Sequence, residues 1–197
     1  MRKRFQRSPN VEVIQGDALK IELPAFNKVV STPPYNISSK LIFTLLNRQW
    51  KLACLILQAE FARRLAATAG TGEYGRLSVM AQYRAEIELG ELVPKTAFYP
   101  KPKVDSQIVI LRPKVLAPAP EDDLFEDLVR GMFNQRRRVA STVLRTYLTR
   151  KFGKAWTSIW NRLEIPQGRV YQLRVSDFEA LARSIHEAKP EAIGDPS

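Results

Sequence analysis

Along the first 114 residues the apolar positions switch between a period of two and a period near 3.6, which predicts strands alternating with helices. Asn10 to Ile14 and Lys28 to Ser31 are short β-rich runs ending at turn residues, and both read as strands. Ser38 to Leu46 puts Leu41, Leu45 and Leu46 on one side of a helix. Lys51 to Leu57 is apolar at both alternations, as expected of a central strand covered on both faces. Glu60 to Ala69 and Arg76 to Arg84 have helical spacing, and Gly70 to Gly75 between them reads as a flexible loop. Ala85 to Leu89 and Gln107 to Leu111 alternate as strands able to pair at a sheet edge, with the proline-rich Phe98 to Ser106 between them.

From Arg112 to Pro120 three prolines in nine residues predict a linker. Every later segment has helical spacing: Asp123 to Phe133, Val139 to Leu148 and Ala155 to Leu163, the second with a stripe of Val139, Val143, Leu144, Tyr147 and Leu148. Ser176 and Glu179 form a capping-box pattern at the head of the last helix. The pattern therefore predicts an α/β domain over residues 1–114, a small all-α domain over 115–190 and a tail over 191–197. No internal repeat is visible.

At 197 residues, 45% of them hydrophobic, the chain can bury a substantial core. Its one cysteine, Cys54, lies in an apolar run and reads as a core thiol, and its one histidine is His186. A disulfide framework is excluded, no metal site is expected, and chemistry must come from hydroxyls, carboxylates, aromatics or backbone groups. No apolar run is long enough to span a membrane, and Met1 to Phe5 lacks the apolar segment of a signal peptide, so a cytoplasmic location is expected.

Charge sharpens the picture. The net charge is +11, and residues 130–174 hold 11 basic residues against a single acid, Glu164. Such a block favours a polyanionic partner over a merely solvated surface.

One short stretch stands out chemically. After the β-branched Val29 and Val30, the chain reads Ser31, Thr32, Pro33, Pro34 and Tyr35. Proline has no amide donor and a fixed φ, so the backbone leaves the strand rigid and extended, with carbonyls free to accept hydrogen bonds from a ligand amine. The adjacent aromatic offers a face for a flat base. A rigid turn closing a strand is the purely structural alternative.

Thr32 to Tyr35 resembles the N-[LP]-P-[YF] motif of adenine N6 methyltransferases. Taken in order, NVEVIQGDAL (10–19), PPYNISS (33–39), YGRLSVMAQY (74–83), FYPKPKVDS (98–106) and FNQRRR (133–138) resemble the KsgA-type ribosomal RNA adenine N6,N6-dimethyltransferases, especially their archaeal and eukaryotic branch. The resemblance covers about residues 10–185. It implies a class I methyltransferase, Rossmann-like sheet that binds S-adenosylmethionine, followed by a helical domain that docks small-subunit rRNA. It further implies that Asp17 and Ala18 meet the cofactor adenine and that Thr32 borders the cofactor as well as the target. Pro33 would supply a carbonyl to the target amine, and Tyr35 and Phe98 would flank the target base. Lys101, Lys103, Arg136, Arg137, Arg138, Arg145, Arg150, Lys151 and Lys154 are the candidate RNA contacts.

Two departures accompany the resemblance. The glycine-rich cofactor loop and the acidic residue that ends the family's second strand are absent from this sequence, so the sheet is expected to lack its first strands and the chain reads as a fragment with an upstream start. Thr32 stands where the family has asparagine, and its shorter hydroxyl predicts slower transfer. The leading expectation is a monomeric enzyme that uses S-adenosylmethionine to methylate N6 of adenines near the 3′ end of small-subunit rRNA. The rival is a non-catalytic rRNA-binding or small-subunit assembly factor that has lost the cofactor site.

Overall fold

The computed structural model describes Phe5, residues 8–114 and residues 119–189. Four strands form one sheet in the order β1-β2-β4-β3: β1 (Lys28–Ser31), β2 (Leu52–Gln58), β3 (Ala85–Val93) and β4 (Ser106–Pro113). β1 and β2 run parallel, joined through helix α1 (Ser38–Leu46), whereas β4 inserts antiparallel between β2 and β3. Parallel neighbours need a crossover and antiparallel ones a turn, and the chain supplies each in that order. Helices α2 (Ala59–Leu65) and α3 (Arg76–Arg84) separate β2 from the β3–β4 hairpin.

The alternation along β2 buries Ala53, Leu55 and Leu57 completely. They join Leu41, Ile42 and Leu45 of α1, Ala62 and Leu65 of α2, Ala81 of α3 and Val109 and Leu111 of β4 in one core. Leu52, Cys54 and Ile56, on the other alternation, are only half-buried. The expectation of a strand fully covered on both faces is thus corrected, because the close-packed cluster gathers one set of side chains and leaves the opposite set, Cys54 included, partly solvated.

Asn10 to Ile14 is likewise corrected: it is irregular, and Val11 and Ile14 are 40% and 48% exposed. A run of five residues is too weak a strand former without a ladder partner, and none of the described residues pairs with it. Gly90 marks a register shift in the β3–β4 ladder between Leu89 and Leu92. A Cβ there would stand 3.1 Å from the Ile108 side chain, which would have to shift by a few tenths of an ångström to admit it.

Beyond residue 118 the chain is helical: α4 (Asp122–Phe133), α5 (Ala140–Phe152), α6 (Trp156–Trp160) and α7 (Val175–Ala188). Phe125, Leu128 and Met132 of α4, Val143, Leu144 and Leu148 of α5, Ile159 of α6 and Phe178, Leu181 and Ile185 of α7 form a second core. This core is not confined to the helices after the linker, since Tyr74 and, from α3, Val79, Met80 and Tyr83 pack into it. Tyr83 stacks on Phe125 with ring centroids 3.9 Å apart and donates its hydroxyl to Asp122 at 2.6 Å. The predicted Ser176–Glu179 box is replaced by one two residues earlier, in which the Arg174 amide donates to the Asp177 carboxylate at 2.8 Å. Arg174 keeps extended dihedrals, so the helix begins at Val175 and Asp177 is the acid placed to reach back.

The predicted helix over 155–163 is shorter in the structure, a 3-10 turn at Gly153–Ala155 leading into α6. Asp127 ties α4 to α5 by accepting from Lys151, from Arg130 at 2.6 Å and from the Tyr147 hydroxyl at 2.9 Å. Partial burial opposes ionisation of Asp127, yet these bonds outweigh it and hold the carboxyl at about 2. A carboxyl depressed in the folded state stabilises above its unfolded value and loses that contribution as pH falls toward its folded value. The tie should therefore be complete above about pH 4 and dissolve between about pH 4 and 2. Asp127→Asn is expected to cost about 1–2 kcal/mol near neutrality and to flatten the stability profile in that acid window, measured by denaturant melts at several pH values.

Candidate active site

β1 ends in Ser31, and the backbone then turns through Thr32, Pro33 and Pro34 into a 3-10 turn at Tyr35–Ile37 that leads directly into α1. Of the two proline carbonyls, that of Pro34 is used locally, accepting from the Ile37 amide at 3.1 Å and the Ser38 hydroxyl at 3.3 Å. The idea that both stand unpaired is corrected by that turn. The carbonyl of Pro33 accepts no hydrogen bond among the described residues, and Thr32 beside it is exposed with its hydroxyl likewise without a partner among them.

Tyr35 is held by a residue 71 positions away: its hydroxyl and that of Ser106 lie 2.8 Å apart. Ser106 is fully buried at the start of β4, and through it the Phe98–Asp105 loop is drawn against the Thr32–Tyr35 turn. Phe98 is half-buried in that loop, and Lys101 and Lys103 are exposed on it. One bond thus brings together the two segments that carry the candidate base-binding aromatics. Ser106 was not singled out from the sequence, although a polar residue opening an apolar strand was the signal available.

Asp17 and Ala18 lie in the irregular stretch before β1 and are exposed. One Asp17 carboxylate oxygen accepts from the Leu19 amide at 3.0 Å, closing a local turn. The other faces only the exposed Lys20, at 3.9 Å. Asp17 therefore keeps acceptor capacity beyond its local turn, and Ala18 and Thr32 are likewise exposed. No described residue is assigned to the ribose or to the methionine of a nucleoside cofactor.

The chain belongs to the ribosomal RNA adenine dimethylase family.

That family matches residues 1–181. A protein of Thermococcus sibiricus, curated as a probable ribosomal RNA small subunit methyltransferase A, is 44% identical over 187 residues. The match takes in 91% of this chain but 66% of that protein, so the chain spans just under two thirds of the length of that relative. Among solved structures, a dimethyladenosine transferase from Plasmodium falciparum superposes with a TM-score of 0.84 at 27% identity, covering 95% of this chain and 77% of the other. The 23S rRNA methyltransferase ErmE gives 0.64 at 28% identity, covering 94% and 76%. The fold is that of the class I methyltransferases, with the β3–β4 hairpin as its antiparallel part.

In this dimethylase-family chain the basic candidates divide by environment. Arg136 points inward: its guanidinium donates to the carbonyls of Thr71, Gly72 and Tyr74 at 3.3, 3.1 and 2.9 Å and lies over the Tyr171 ring at 5.5 Å. The Gly70 amide donates to the Tyr171 carbonyl at 2.8 Å. The loop predicted to be flexible is therefore pinned, by contacts no local pattern could show. Lys151 is engaged by Asp127. Arg137, Arg138, Arg145, Arg150 and Lys154 are exposed and pair with no carboxylate among the described residues. Along α5 the exposed set Thr142, Arg145, Thr146 and Thr149 follows helical spacing, which gives Arg145 a face directed to solvent.

Proposed function

We propose that this protein is an S-adenosylmethionine-dependent methyltransferase acting on N6 of adenines near the 3′ end of small-subunit rRNA, in ribosome biogenesis. The observation that carries this reading is the unclaimed Pro33 carbonyl beside Tyr35, whose ring is fixed by Ser106 at 2.8 Å. Membership of the rRNA adenine dimethylase family gives that geometry its chemical context.

When bound, S-adenosylmethionine supplies a methyl group on a sulfonium, an electrophile that needs no metal. The residues of this chain have the complementary task. An adenine amine is a poor nucleophile because its lone pair is delocalised into the ring. The Pro33 carbonyl would accept a hydrogen bond from one amine N–H and the Thr32 hydroxyl from the other, which would favour a pyramidal and more nucleophilic nitrogen. Tyr35 and Phe98 would hold the extruded base between them, Asp17 and Ala18 would meet the adenine end of the donor, and Thr32 would border the donor beside the target amine. The Thr32 hydroxyl is shorter than an asparagine amide, so the second amine contact is the weaker one.

Residues 119–189, as a helical rRNA-docking domain, present Arg137, Arg138, Arg145, Arg150 and Lys154 to the phosphates of the pre-ribosomal small subunit, with Lys101 and Lys103 nearer the base site. Each phosphate neutralised contributes just under one unit to the slope of log K against log salt. Arg137→Ala with Arg138→Ala should lower that slope by about 1.5, whereas Arg136→Ala should leave it unchanged, since Arg136 is spent on carbonyls. Salt titrations of rRNA binding read this directly.

A second reading, an rRNA-binding assembly factor without transfer activity, is favoured by one observation, threonine at position 32. Calorimetry with S-adenosylmethionine separates the two: saturable binding supports the enzyme, and no heat at millimolar donor supports the assembly factor.

A further inference from the structure

The loop between β3 and β4 carries more exposed chemistry than the base site uses. Tyr99 stands wholly in solvent, at 102% relative exposure, so its ring contributes nothing to either core. A single exposed apolar group means little by itself. Here, however, the ring is mounted on a held segment. Pro100 and Pro102 restrict the backbone just after it. The base of the loop is fixed by the Lys95 amide donating to the Asp105 carboxylate at 2.8 Å and by the Ala59 amide donating to the Asp105 carbonyl at 3.0 Å.

Within the loop ahead of Asp105 the side-chain charge is wholly positive. Between residues 94 and 104 the loop holds Lys95, Lys101 and Lys103 and no carboxylate, and none of the three lysines forms an ion pair among the described residues. Lys95 and Lys103 line a cleft of about 370 Å³ together with Arg63 and the carboxylates of Glu60 and Asp105, and Leu92 and Val104 expose apolar surface to it. A rigidly mounted aromatic flanked by cations is the chemistry that binds single-stranded nucleic acid, the ring taking a base and the lysines its phosphates. The loop is also in the right place. Phe98, next to Tyr99, is extended and half-buried, and Ser106, just after the loop, holds Tyr35. Phe98 is half-buried while Tyr99 next to it is fully exposed, so the two rings meet different surroundings.

We propose that residues 94–105 form a second nucleotide subsite, in which Tyr99 stacks on the base of the nucleotide neighbouring the target adenine and Lys101 and Lys103 hold its phosphate. The subsite rests on the reading of the Thr32–Tyr35 turn as an RNA base site, and it adds a residue that reads the sequence context of the target.

The test uses two short single-stranded RNAs with a central adenine, one carrying 2-aminopurine on its 5′ side and one on its 3′ side. Binding should quench the fluorophore in one of the two. Tyr99→Ala should abolish that quench and weaken binding about tenfold, while Tyr99→Phe, which keeps the ring, should preserve both. The melting temperature of Tyr99→Ala should match that of the parent, because the ring buries nothing. Equal quenching and affinity in the parent and Tyr99→Ala, or loss of both in Tyr99→Phe, would overturn the subsite and leave the RNA reading standing. Failure of the parent to bind either RNA at low salt would overturn both.

Discussion

Tyr35→Ala is expected to lower methyl transfer to adenine by a hundredfold or more relative to the parent chain, with little change in rRNA affinity. The ring is the rigid wall of the proposed base site, and its position is set by the 2.8 Å contact with Ser106. Alanine removes the wall, so an extruded adenine would sample many orientations and rarely meet the Pro33 carbonyl. Tyr35→Phe separates wall from anchor: it keeps the stacking face, loses the Ser106 contact and should cost about tenfold. Affinity for rRNA is carried by the exposed arginines and should hold in both variants. Single-turnover transfer measured beside equilibrium binding checks the pattern. Equal rates for Tyr35→Ala and the parent would remove Tyr35 from the site.

Arg136→Ala should lower folding stability by about 2–3 kcal/mol, a large effect for an arginine in a basic run. Three carbonyls of the 71–74 segment lose their donor together, and the Tyr171 ring loses the guanidinium above it. Arg136→Lys should recover less than half of the loss, because the shorter ammonium side chain does not lay a planar guanidinium over the Tyr171 ring while one of its nitrogens reaches the three carbonyls. Hydrogen exchange provides a local readout. The Gly70 amide, bonded to the Tyr171 carbonyl, should exchange faster in Arg136→Ala, whereas amides of β2 should follow only the global change. A loss below about 0.5 kcal/mol would show Arg136 to be an ordinary surface residue.

These two residues also mark where sequence reasoning reached and where it stopped. Period and burial made β1, α1, β2, α3 and the β3–β4 pairing legible, because each buries one face against its neighbours. The Thr32–Tyr35 turn was legible too, since two prolines dictate backbone geometry wherever they stand. What pattern could not show was every feature set by contacts distant in sequence. Tyr35 and Ser106 are 71 positions apart, and Arg136 reaches Tyr74 across 62. The basic block looked uniform in composition, yet Arg136 and Lys151 are structural and Arg137, Arg138, Arg145, Arg150 and Lys154 face solvent. Asn10 to Ile14 failed for the converse reason: alternation was present, but no ladder partner lies among the described residues.

Methyl transfer to adenine N6 is expected of the Thr32–Tyr35 turn even with threonine in place of asparagine. It is tested most directly by incubating the protein with undermethylated small ribosomal subunits and S-adenosylmethionine, then analysing the 3′ fragment of the rRNA by mass spectrometry. N6-methylated adenine is expected in that fragment, strongly reduced with Tyr35→Ala. Subunits that bind the protein with full salt-dependent affinity and yet carry no methylated adenine would contradict it.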